Sequence, residues 1–134
     1  RFAEPGGRAH RILTVIADQE RDHAGWVGEL LAARGLHVEV QPKPDRYWRR
    51  VLPEITDLAT GAAVGAHAER MRLERIEVTA ADPAAPSDVR AVFARILPQE
   101  RFHARAFASL SNERALARTA NAHALGRDAL GLVV

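Results

Sequence analysis

Two spacings in this chain place a carboxylate and an imidazole one helical turn apart: Glu20-Arg21-Asp22-His23 and Glu100-Arg101-Phe102-His103. Side chains at i and i+3 face the same way on a helix, so each pair can offer an oxygen and a nitrogen donor to one point. Both pairs interrupt apolar lines. One reads Ile16, Glu20, His23, Val27, Leu30, and the other Phe93, Ile96, Glu100, His103, Phe107, Leu110. A third line, Ala62, Gly65, Glu69, Leu73, Ile76, carries a single carboxylate. An ionised Glu on an inward stripe is costly unless it is paired or coordinated. Divalent iron or manganese accepts mixed carboxylate and imidazole ligands, and its charge offsets that of several glutamates. Glu20, His23, Glu69, Glu100 and His103 are therefore the candidate metal ligands.

With ten Glu and six His in 134 residues, random placement gives about half a Glu-x-x-His pair per chain. Two copies on inward stripes arise by chance in only about a per cent of such chains. The competing reading is a pair of core histidines held by glutamates, with no metal.

The elements that must position these residues are helices, since Ala, Leu, Arg and Glu dominate and β-branched alternation is rare. The first helix is expected to open after Gly6-Gly7 and to stop at Gly35. A Pro-broken stretch, "LHVEVQPKPDRYWRRVL", follows; "LHVEV" suits an extended segment and "DRYWRRV" a short helical turn. The second long helix is expected to begin near Pro53 and end before Pro83, and Ser87 is a candidate N-cap for the third. That third helix covers about 88–110 with Pro98 as a kink, and the last runs from about Glu113. The connection over about residues 36–52 is long enough to cross a whole bundle, which lets the first two long helices run parallel. The short "DPAAPSD" link makes the second and third antiparallel neighbours.

The remaining polar and aromatic residues attract blander readings. His67, Glu74, Asp18 and Asp22 are expected at the surface, and Trp26, Tyr47 and Trp48 in packing. His123 would become a substitute ligand if the last helix brought it to the height of Glu100.

At 134 residues the chain is the size of one domain. The absence of Cys excludes disulfides, thiolate nucleophiles and Cys-ligated metal sites, and fits a reducing cytoplasm. No apolar run reaches the length of a membrane span and no signal peptide is visible, so no membrane partner is expected. Net charge is only +2, with arginines scattered among acids, so no nucleic-acid partner is expected either.

The order of the motifs resembles that of the ferritin-like di-iron carboxylate proteins, most closely the rubrerythrin-type branch. Such bundles take one Glu from each of two helices and Glu-x-x-His from each of the other two. The family order is Glu, Glu-x-x-His, long crossover, Glu, Glu-x-x-His. Glu20 and His23 match the first Glu-x-x-His, Glu69 the single Glu that follows, and Glu100 with His103 the last pair. The phrase "DVRAVFARILPQERFHARAF" is similar to the rubrerythrin-type fourth helix. The resemblance covers about residues 8–110. It implies an all-α, ferritin-like four-helix bundle, with residues 8–134 as one domain behind a tail of residues 1–7. It also implies two Fe ions, or Mn, with Glu69 or Glu20 bridging and the histidines terminal.

One part of the family pattern has no counterpart here. The first helix, with its lone Glu, is missing, and Glu4 in "RFAEPGG" lies too close to the first predicted helix to replace it. That helix lies upstream of Arg1, comes from a partner chain, or is absent. A homodimer with a swapped helix would supply it. The lack of Cys also rules out a rubredoxin-like electron-transfer module within this chain.

The resemblance implies a non-haem di-iron or di-manganese oxidoreductase acting on O2 or peroxide, with electrons from an external donor. Two other functions stay open at this level. One is a non-catalytic metal-binding domain for iron storage or sensing. The other is a helical interaction module without metal.

Overall fold

A computed structural model describes residues 1–39 and 46–132, and every regular element among them is helical. The elements are α1 (Arg8–Ala32), α2 (Trp48–Val51), a 3-10 turn (Leu52–Glu54), α3 (Leu58–Ala81), α4 (Ser87–Ser109) and α5 (Glu113–Ala129). The all-α ferritin-like bundle expected from the sequence is the architecture found.

The helix ends follow local chemistry. Beyond α1, Gly35 takes a left-handed conformation (φ +66°), and the Leu36 N–H returns to the Leu31 carbonyl at 2.9 Å. This closes the last turn as a Gly at C′ should. α3 begins later than Pro53, which belongs to the 3-10 turn instead. Asp57 is its N-cap: the Asp57 carboxylate accepts from the Thr60 N–H at 2.8 Å, while Thr60 Oγ1 accepts from the Asp57 N–H at 3.0 Å. That reciprocal box outcompetes a Pro start because it satisfies two otherwise orphaned N–H groups. Ser87 is the first residue of α4 and makes no cap; Pro86 precedes it. Of the expected "DRYWRRV" turn, Trp48–Val51 form α2; Leu36–Glu39 have no regular structure, and residues 40–45, which include Val40 and Asp45, lie outside the described residues.

Pairings across the helices give their directions. α1 meets α4 at Gln19–His103, His23–Gln99 and Arg34–Asp88, so one number falls as the other rises and the two are antiparallel. α3 and α4 are antiparallel too, with Gly65 against Phe107 and Glu77 against Arg101. α1 and α3 therefore run parallel, as the long connection allows. α5 meets α3 at Ser111–Ala59, His67–Thr119 and Arg127–Glu74, and runs parallel to it.

α3 is the central helix and is buried on two sides. Val64, Ala68 and Met71 join Tyr47 and Val51 in a core under α2 and α5. The opposite side of α3 carries Ala62, Glu69 and Ile76 towards α4, where Ile96, Glu100 and His103 are buried, and towards Ile16 and His23 of α1. Small residues permit this close fit. A Cβ on Gly65 would come within 2.6 Å of the Phe107 ring, nearer than packed carbon atoms approach. Two polar contacts lock α1 onto α4. Arg34 forks onto Asp88 at 2.9 and 3.1 Å, and the Arg95 guanidinium lies 3.7 Å from the centre of the Trp26 ring.

Candidate metal centre

The Glu-x-x-His spacing sits at mid-length in both α1 and α4, and their antiparallel pairing brings the two copies to one height. His23 on α1 faces Glu100 on α4, with Nδ1 3.0 Å from Oε1. His103 on α4 faces Glu20 on α1, with Nδ1 3.3 Å from Oε1. Glu69 arrives from α3 on the third side. Ligand atoms of Glu20, Glu69, Glu100 and His103 all lie within 4.8 Å of one another, a spread suited to the shell of a small cation with bonds of about 2.0–2.3 Å. Four of the five candidates thus form one cluster, and His23 lies beside it, against Glu100. Four are buried: His103 and Glu100 almost completely, Glu69 and His23 nearly so. Glu20 is the half-exposed member, its side chain 37% accessible.

Each imidazole is held from behind by a glutamine on the opposite helix. His23 Nε2 donates to Gln99 Oε1 at 2.6 Å, and His103 Nε2 donates to Gln19 Oε1 at 2.8 Å. Because that amide oxygen can only accept, each Nε2 carries a proton, and in the neutral ring Nδ1 is the atom left with a lone pair. The lone pairs then point at carboxylate oxygens. Two acceptors facing each other in a buried site need something positive between them.

The bookkeeping of buried polar atoms points the same way. Among the described residues, five buried side-chain atoms lack a hydrogen-bond partner. Four are His23 Nδ1, Glu69 Oε2, Glu100 Oε2 and His103 Nδ1; the fifth is Arg90 Nε. Native proteins leave very few such atoms, and four on neighbouring side chains of α1, α3 and α4 are the pattern expected of metal ligands. Mixed oxygen and nitrogen donors of this kind suit iron, manganese or zinc. The residues present fit a metal.

Without one, the carboxylates respond to one another. Burial, followed by a hydrogen bond with Glu100, pushes the Glu69 carboxyl up to about 8. Glu20 moves the other way. A hydrogen bond from His103 in its protonated form lowers it, against the effect of burial, and the charge of Arg72 lowers it further.

Arg72 lies one turn beyond Glu69 and was not among the residues singled out in the sequence. Its Nη1 is 2.8 Å from Glu20 Oε1, 3.6 Å from Glu69 Oε2 and 3.7 Å from Glu100 Oε2. Gln19 and Gln99 were missed as well. A signal for them does exist, because a Gln precedes the Glu in both motifs, giving Gln-Glu-Arg-x-His twice.

An open cavity of ≈ 470 Å³ leads to the cluster. Glu20, His23, Arg72 and Glu100 form its polar wall, and Val27, Ile76, Phe93 and Ile96 are among its apolar lining.

Other sequence readings resolve differently. His123 is not at the site: it stacks on His67, with ring centroids 4.7 Å apart, and its Nδ1 bonds the Tyr47 hydroxyl at 2.8 Å. His67 is not a free surface residue, since its Nε2 lies 3.1 Å from Thr119 Oγ1. Glu74 is exposed and pairs with Arg127, and Asp18 is exposed beside Arg21. Tyr47 is buried in the α2–α5 core as a packing residue.

Comparison with protein families finds that the model described as Rubrerythrin matches residues 4–111. No curated protein and no solved structure matches the chain. No helix among the described residues is long and apolar enough to cross a membrane.

Proposed function

The chain belongs to the rubrerythrin family, and on that premise we propose that it is a non-haem metal-dependent oxidoreductase whose substrate is O2 or peroxide. The carrying observation is that four unpartnered buried atoms belong to neighbouring side chains of α1, α3 and α4, those of His23, Glu69, Glu100 and His103. Glu20, His23, Glu69, Glu100 and His103 would hold the metal. Iron bound there would supply the electrons that dioxygen or peroxide accepts, replenished by an external donor.

The chain's own residues divide the remaining work. Gln19 and Gln99 fix the two imidazoles in the tautomer that presents Nδ1. Ile96 and Ile76, both buried, belong to the cavity's apolar lining, which suits a small, weakly hydrated molecule.

The test is elemental analysis of protein purified without chelator and again after anaerobic Fe(II) loading, followed by peroxide turnover with a reductant. Iron bound at the site and turnover above free Fe(II) are the expected results. Glu100→Ala and Glu20→Ala should each lower metal content, and Glu100→Ala should also lose the thermal stabilisation that metal gives. Unchanged metal content in both variants would sink the assignment. Metal without turnover would leave a storage or sensing role.

A further inference from the structure

We propose that the centre takes one divalent cation rather than two, because the Arg72 guanidinium stands where a second cation would neutralise the carboxylates. The inference rests on the metal-binding reading above and departs from the pair of ions that the sequence resemblance implies.

Geometry is the first support. Arg72 follows Glu69 by three residues on α3, so both side chains leave the same face. Its Nη1 lies within 4 Å of carboxylate oxygens from three helices: Glu20 on α1, Glu69 on α3 and Glu100 on α4. Only the Glu20 contact is short enough for a hydrogen bond, at 2.8 Å. Glu69 Oε2 and Glu100 Oε2 remain without one. Arg72 therefore occupies the carboxylate cluster from the cavity side without satisfying it, and leaves the inner atoms for a smaller cation.

Charge is the second support. The three carboxylates and one guanidinium leave a net of two negative charges when all are ionised, and the two imidazoles are neutral when they act as ligands. One divalent cation cancels that charge. Two would leave as large an excess of positive charge in a largely buried site, with no further carboxylate among the clustered residues to offset it. The guanidinium is a fixed cation, since Arg does not lose its proton in proteins.

The ligand atoms also match a single ion. The clustered set of Glu20, Glu69, Glu100 and His103 forms one group within 4.8 Å, and His23 Nδ1 adds a donor beside Glu100.

The experiment is Mn(II) binding to the full chain, read by calorimetric stoichiometry and by electron paramagnetic resonance, with wild type, Arg72→Ala and Arg72→Lys. The expected wild-type result is one ion per chain with the hyperfine pattern of isolated Mn(II). Arg72→Ala should admit a second ion and show exchange coupling between the two; Arg72→Lys, which keeps the charge, should stay at one. Two ions in the wild type would overturn this inference and leave the metal-binding reading intact. No Mn(II) and no Fe(II) in the wild type would overturn that reading and this inference with it. One ion in both wild type and Arg72→Ala would overturn the role given to Arg72.

Discussion

The molecule contains two stacked histidine pairs on opposite sides of α3, and they have different surroundings. His23 and His103 lie 5.7 Å apart between α1 and α4, and His67 and His123 lie 4.7 Å apart between α3 and α5. In the second pair, His67 Nε2 reaches the Leu116 carbonyl and the Thr119 hydroxyl, and His123 Nδ1 reaches the Tyr47 hydroxyl. These partners are neutral, and neither ring leaves a buried nitrogen without a partner. In the first pair both Nε2 atoms are satisfied by glutamines while both Nδ1 atoms are left facing carboxylates. Paired imidazoles are thus no guide to a metal site. What distinguishes the α1–α4 pair is that both rings leave a buried nitrogen unpartnered beside a carboxylate.

That contrast can be broken most directly by removing one ring from each pair. His103→Ala or His23→Ala should weaken metal binding by more than the roughly 10–100-fold that loss of an outer partner costs. His67→Ala or His123→Ala should leave metal affinity unchanged and lower stability by about 1–3 kcal/mol, through the lost ring packing and the hydrogen-bond partners left behind. Metal titration and urea unfolding on the four variants decide it; equal losses of metal from both pairs would contradict the division.

A smaller effect sharpens the difference within the α1–α4 pair. Gln99→Leu and Gln19→Leu keep the volume but remove the acceptor that fixes each Nε2 proton. Each should lower metal affinity roughly 10–100-fold with a folded chain, by freeing the ring to rotate or change tautomer. Affinity at the wild-type level would mean that packing alone orients the rings.

The smallest expected effect concerns acid. Burial, then the charges of His67 and Arg127, push the His123 imidazole down to about 4, with only Glu74 acting in the other direction. Burial lowers His67 too. The unfolded chain takes up these protons near the ordinary value of about 6.5. Stability from this pair is therefore complete above about pH 6.5 and is lost progressively as pH falls towards about 4. His123→Gln should flatten that part of the melting temperature profile of the metal-free protein. An unaltered slope would show that acid acts elsewhere.

Much of the candidate site was legible in the sequence because its logic is local. A Glu and a His three apart on a helix face one way whatever the fold, and the apolar residues flanking Glu20, His23, Glu100 and His103 show that this face is inward. The helix stripes of α1 and α4 could be phased for the same reason. α3 was only half legible. Its Glu69 face was found, but Val64, Ala68 and Met71 on the other side were not, because a helix buried on two sides loses the amphipathic phase that sequence reading depends on. The start of α3 was misplaced for a related reason: Pro53 is a strong signal seen alone, and the reciprocal Asp57–Thr60 box outweighs it.

The sequence by itself determined the helical class, the two Glu-x-x-His donors and the third carboxylate, because composition and i,i+3 spacing act within a single element. Tertiary structure alone decided which histidines share a site and which merely pack. It put Gln99 behind His23 and Gln19 behind His103, turned His123 towards Tyr47, and set Arg72 among three carboxylates from three helices. The hydrogen bonds among them join residues 52 to 84 positions apart, and they follow from the antiparallel register of α1 on α4 and the central place of α3, which no local pattern encodes.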